Sequence, residues 1–113
     1  MKLAEMIERL SLDVFTSTVD ADINVTGGYC GDLLSHVLAS ASPGYLWITI
    51  QHHVNVVAVA QVAGIAAVLL ADGKCPDETT LDRAKTGGIV LLGSPESAFE
   101  ISGRLHNLLA AER

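Results

Sequence analysis

The chain has 113 residues, enough for one ordinary domain with a real core, and half of them are hydrophobic, so it is not a disordered chain. The formal net charge is −6, and the seven Lys and Arg residues are scattered rather than gathered in a stripe. Nucleic acid and anionic membrane surfaces draw binding from such clustered cations and are therefore not expected as partners.

The first element is a helix over residues 3–10, with Leu3, Met6, Ile7 and Leu10 on one face at spacings of three and four. Its acids set this segment apart from a signal peptide, and a cytoplasmic protein is the expectation. A short strand follows at Asp13–Thr16, then a polar loop over Thr18–Asn24. Residues Ile23–Cys30 read as a strand ending in a glycine-rich bend at Gly27-Gly28. Asp32 stands where a helix N-cap belongs, ahead of the apolar stripe Leu33, Leu34, Val37, Leu38 and Ala41. Ser42-Pro43-Gly44 stops that helix. Tyr45–Ile50 carries the aromatic and β-branched residues of a strand, and Gln51-His52-His53 forms the turn after it.

Asn55 can cap a helix over Val56–Ala63, which Gly64 ends. This helix is apolar nearly all round, which places it in the core or at a subunit contact of a homodimer. Ile65–Ala71 is a strand hydrophobic on both faces, as in a covered parallel sheet. The whole run from Val54 to Ala71 is as long as a short membrane span, but Asn55, Gln61 and Gly64 argue for a helix and a buried strand instead. Asp72-Gly73-Lys74-Cys75-Pro76 is a loop. Asp77 caps a polar helix to about Thr86, closed by Gly87-Gly88, and Ile89–Leu92 is the last strand. Ser94-Pro95-Glu96 has the composition of a helix start, with Ala98, Ile101, Leu105, Leu108 and Leu109 lining the buried side of the final helix. This alternation predicts a single α/β domain with a mostly parallel sheet.

In such a sheet, ligands sit outside the carboxyl ends of the strands. Four polar clusters are assigned there: Thr26-Gly27-Gly28 with Asp32 and Ser35; Thr49, Gln51, His52, His53 and Asn55; Asp72-Gly73-Lys74; and Ser94 with Ser97. Helix N-termini follow each, and their free N–H groups favour an anion. The candidate ligand-binding residues are Gly27, Gly28, Asp32, Ser35, Thr49, Gln51, His52, Asn55 and Ser94, for a small anionic metabolite or nucleotide. The bland reading of each is equally concrete: Gly27-Gly28 as a plain backbone bend, Asp32 as a cap.

No catalytic motif is complete. Gly73-Lys74 is followed by Cys75 and lacks the upstream glycine of a phosphate-binding loop, and the Gly27-Gly28-Tyr29-Cys30-Gly31 spacing is not a dinucleotide fingerprint. Ser35 and Ser94 sit at helix starts rather than in a nucleophile elbow. Adjacent His52 and His53 on a strand end point to opposite sides, so no metal site is expected. Cys30 and Cys75 form no CxxC pair and read as two buried, reduced thiols.

Two stretches carry a resemblance: Val25-Thr26-Gly27-Gly28-Tyr29-Cys30-Gly31-Asp32-Leu33-Leu34-Ser35, and Trp47-Ile48-Thr49-Ile50-Gln51-His52-His53 through Ala60. With Gly64–Leu70 and Ala98-Phe99-Glu100-Ile101, they make the chain look like a stand-alone DRTGG domain. The contiguous five-residue motif of that name is absent; Asp82-Arg83-Ala84-Lys85-Thr86-Gly87-Gly88 carries two extra residues. The resemblance implies a three-layer α/β/α domain with a mostly parallel five-stranded sheet, similar to the N-terminal domains of HPr kinase/phosphorylase and Mur ligases. It implies a regulatory, non-catalytic role; kinase activity in that family belongs to a separate domain. Stand-alone members accompany iron hydrogenase genes, so the alternative is a structural or assembly partner of a larger redox complex. A third reading is a small enzyme with His52 or His53 as general base near Asp32.

Overall fold

The computed structural model describes residues 1–16 and 19–112; Thr18, which opens the expected polar loop, lies outside them. Ten elements follow in order: α1 (Leu3–Arg9), β1 (Asp13–Val14), β2 (Gly27–Cys30), α2 (Leu34–Ser40), β3 (Tyr45–Thr49), α3 (Asn55–Ala63), β4 (Ala67–Leu70), α4 (Glu78–Gly87), β5 (Leu91–Gly93) and α5 (Ala98–Ala111). The strands form one five-stranded sheet in the order β1-β5-β4-β3-β2. Pairs β2–β3, β3–β4 and β4–β5 are parallel, and β1 runs antiparallel to β5. This is the expected three-layer α/β/α sandwich.

Alternate residues of each strand feed two cores. Leu46, Ile48, Leu69 and Leu92 pack with Leu3 and Met6 of α1 and with Ile101 and Leu105 of α5. On the other face, Trp47, Val68, Leu70 and Leu91 pack with Val37 of α2, Val56 and Ala60 of α3, and Ala84 of α4. The central strand β4 is buried along its whole length, which is why its sequence shows no alternation. α3 buries Val56, Val57, Val59 and Ala60, while Val62 is left 79% exposed. No helix among the described residues is long and apolar enough to cross a membrane.

Helix ends explain where the chain turns. Gly64 and Gly88 both adopt the left-handed conformation at the C-caps of α3 and α4, at φ 69° and 73°. A side chain is strained there, and glycine is not. Asp77 caps α4 as expected, accepting from the backbone N–H of Thr80 at 2.8 Å. The hydroxyl and the N–H of Thr80 hold the Asp77 carboxyl below its ordinary range; of the two, only the N–H meets hydrogen-bond geometry. His53 and His52 add a weaker pull in the same direction. The folded pKa is therefore depressed. The stabilisation from this cap is complete above the unfolded carboxylate range and is lost as pH falls through the lower folded value. We expect Asp77→Ala to lower the melting temperature more at pH 7 than near pH 2. Thermal melts at both pH values check this; an equal loss at the two would remove the charged cap from the account.

Three other helix starts differ from expectation. Asp32 does not cap α2, whose N-cap is Leu33 with no side-chain bond. Asn55 is the first residue of α3 rather than its cap, a position held by Val54. Ser94 lies one turn too early: Ser97 caps α5 by accepting from Glu100 N–H at 3.2 Å. The Asp32 carboxylate and the Ser94 hydroxyl are instead bonded to Thr49 and Glu96. Nor do the two cysteines lie in the core. Cys30 is exposed because β2 is an edge strand, and Cys75 is exposed on a loop.

Candidate functional site

The turns leaving β2 and β3 meet at one corner of the sheet's carboxyl rim, knitted by a hydrogen-bond knot. Asp32 Oδ1 accepts from the Thr49 hydroxyl at 2.8 Å and from the Ile50 backbone N–H at 3.0 Å. Gln51 Nε2 donates to the Asp32 carbonyl at 3.0 Å, and Gln51 N–H donates to Thr49 Oγ1 at 3.1 Å. One residue back, the Trp47 indole N–H donates to the Gly31 carbonyl at 2.8 Å, and Gly31 N–H donates to the Ile48 carbonyl at 3.1 Å. Thr49 is buried, so its hydroxyl needs this partner. Asp32 therefore reaches across to the neighbouring strand because β2 and β3 are parallel neighbours ending side by side.

His52 Nδ1 donates to the Ile50 carbonyl at 3.1 Å. That bond fixes the tautomer of the neutral ring and leaves Nε2 as its acceptor. The His52 and His53 rings lie 4.6 Å apart, tilted by 32°. The expected divergence of this pair fails because the strand ends at Thr49 and both histidines belong to the following turn. Ser35 and Asn55 are exposed in the first turns of α2 and α3, flanking the knot. No group of three or more His, Cys, Asp or Glu residues placed to hold a metal ion occurs among the described residues.

The remaining candidates are elsewhere. Ser94 is buried at the end of β5, its hydroxyl accepting from Glu96 N–H at 3.1 Å. Three strand spacings separate β5 from β2, about 14 Å. Gly27 and Gly28 are not a bend at the carboxyl rim but the first two residues of β2, paired with Tyr45 and Leu46 at the start of β3. The rise along β3 to Thr49 puts them about 13 Å from the knot. The nine residues thus divide into a corner of six, one buried serine and a glycine pair at the far end of the edge strand.

That glycine pair floors a cleft of about 340 Å³ between β2 and α5, whose walls include Tyr45, Ile48, Ser102, Leu105 and His106. The glycines are needed for its shape. A Cβ on Gly27 would lie 2.5 Å from the Tyr45 ring, and one on Gly28 would lie 3.0 Å from Leu105 Cδ2. Sequence reasoning missed Ser102, His106 and Tyr45 as site residues; for Ser102 and His106 the only signal was the apolar stripe that presses α5 on the sheet. On the opposite side of β2, the Tyr29 hydroxyl is hydrogen-bonded to Nδ1 of His36 on α2.

No protein-family profile matches the chain, and no curated protein matches it in sequence. Among the solved structures similar in fold are the CBS and DRTGG domains of the regulatory region of Clostridium perfringens pyrophosphatase, complexed with the activator diadenosine tetraphosphate. That structure aligns with a TM-score of 0.71 at 14% identity, covering 92% of this chain. This chain spans 45% of the length of that one. At that identity the likeness is one of fold.

Proposed function

We propose that this chain is a non-catalytic, ligand-sensing regulatory domain of the DRTGG kind, taking a small anionic metabolite or nucleotide at the β2–β3 corner of the carboxyl rim. The observation that carries the reading is its fold, shared with a regulatory region bound to a nucleotide activator. The corner supports it chemically. The knot holds two turns rigidly, so that His52, Ser35 and Asn55 present polar groups at fixed spacing. No side chain caps α3; its Val56 and Val57 N–H groups are bonded to the His53 and Val54 carbonyls, so what this end offers an anion is the field of the helix dipole. Asp32 is the cost of this arrangement, since its carboxylate faces any anion bound beside it.

A second reading, a module that docks on a protein partner or on its own copy, is favoured by apolar side chains left in solvent near the same corner. Leu33 is 69% exposed and Ile50 41%.

Titrating the ¹⁵N-labelled protein with diadenosine tetraphosphate, ATP, AMP and citrate separates the two. The first reading expects amide shifts at residues 32–35 and 50–55, with binding weakened about tenfold in His52→Ala. Silence across all four probes at millimolar concentration, together with concentration-dependent self-association by light scattering, would replace it with the second.

A further inference from the structure

We propose that the cleft between β2 and α5 is a binding site for an uncharged planar ring compound, of the nucleobase or carboxamide-heterocycle class, separate from the rim corner. Three observations carry this. The first is size. At about 340 Å³ the cleft lies in the range of small-molecule sites and exceeds what one or two waters occupy.

The second is its surface. Gly27 and Gly28 leave a strip of bare backbone as the floor, beside the Tyr45 ring, with Leu105 and Ile48 completing an apolar slot. A flat ring fits such a slot, since its faces meet carbon and its edge meets backbone and side-chain polar groups. No Asp, Glu, Lys or Arg lines the cleft. A half-buried ionic ligand would be desolvated there with no carboxylate, ammonium or guanidinium to answer its charge, which favours a neutral occupant.

The third is an orphan. The Ser102 hydroxyl is buried and, among the described residues, has no hydrogen-bond partner. Such a group is destabilising as it stands. Ser102 lines this cleft, and His106 follows it one turn later on α5. Rotation of the Ser102 side chain would bring its hydroxyl, beside the His106 imidazole, to the polar edge of a bound ring.

The test uses adenine, nicotinamide and nicotinate as probes on the full chain, followed by amide chemical shifts. Nicotinamide and nicotinate share one ring and differ in charge at neutral pH. The expected result is shifts at Gly28, Ile48, Leu105 and His106 with adenine and nicotinamide, and at least fivefold weaker binding of nicotinate. Ser102→Ala is expected to melt no lower than the parent, because it removes an unpartnered buried hydroxyl, while weakening both neutral probes about fivefold. A purely structural serine would change the melt and leave the affinities alone. The proposal is overturned if neither neutral probe moves these amides at 10 mM, if nicotinate binds as well as nicotinamide, or if Ser102→Ala binds like the parent. Because the rim reading is followed at residues 32–35 and 50–55, either site can fail without the other.

Discussion

Trp47→Ala is expected to cost about 3–5 kcal/mol, the range for removing a fully buried large aromatic. Trp47 is completely inaccessible at the middle of β3, packed in the cluster with Val37, Val57 and Val68 between the sheet and α2–α3. Two losses add. The cavity left by the indole sits under helices that cannot collapse into it without leaving the sheet. The Gly31 carbonyl, which accepts from the indole N–H at 2.8 Å, also loses its partner. Total stability of a domain this size is about 5–15 kcal/mol, so the variant keeps little reserve. Trp47→Phe refills most of the volume but not the hydrogen bond, and is expected to cost about 1–2 kcal/mol. Urea unfolding followed by far-UV circular dichroism measures both; the parent can also be followed through this single tryptophan. An alanine variant within 1.5 kcal/mol of the parent, an order-of-magnitude threshold, would mean the indole is not the keystone of that face.

The second large effect is expected at Asp32. Its Oδ1 serves the Thr49 hydroxyl and the Ile50 N–H together, so Asp32→Ala strands a buried hydroxyl and a backbone donor at once. The expected cost is about 2 kcal/mol, typical of charge-assisted hydrogen bonds. Asp32→Asn keeps an acceptor at the same place and is expected to cost about half as much. A double-mutant cycle with Thr49→Val distinguishes this from an ordinary helix cap. A cross-strand bond gives a coupling energy of about 1 kcal/mol, whereas a cap on α2 has none with Thr49. Additive single costs would break the knot as a structural unit. Because the same residues organise the proposed rim site, Asp32→Ala is also expected to abolish the nucleotide-induced shifts at residues 50–55.

These two residues mark the border between local and long-range information. Asp32 before an apolar helical stripe reads as a cap, and Asn55 and Ser94 read alike; each has the right chemistry next to the right pattern. Asp77 has the same credentials and does cap its helix. For Asp32 the difference is that the neighbouring strand end offers a stronger partner. That depends on strand order and register, which no window around Asp32 contains. The cysteines follow the same logic: Cys30 would be buried on a central strand and is exposed only because β2 ends the sheet. Gly27-Gly28 reads as a bend until β3 lies alongside it, after which the absence of side chains becomes the floor of a cleft.

By itself the sequence determined the alternation of strand and helix, the apolar stripes of α1 and α5, the doubly buried character of β4 and the glycine stops at Gly64 and Gly88. These follow from periodicity and backbone conformation, which act within a few residues. Tertiary structure alone decided that Asp32 joins Thr49 instead of its own helix, that Cys30 lies on an edge strand and that Gly27, Gly28 and Ser102 border one cleft. Each of those depends on which segments distant in the chain become neighbours, and that choice is made by burying two apolar faces at once rather than by any local preference.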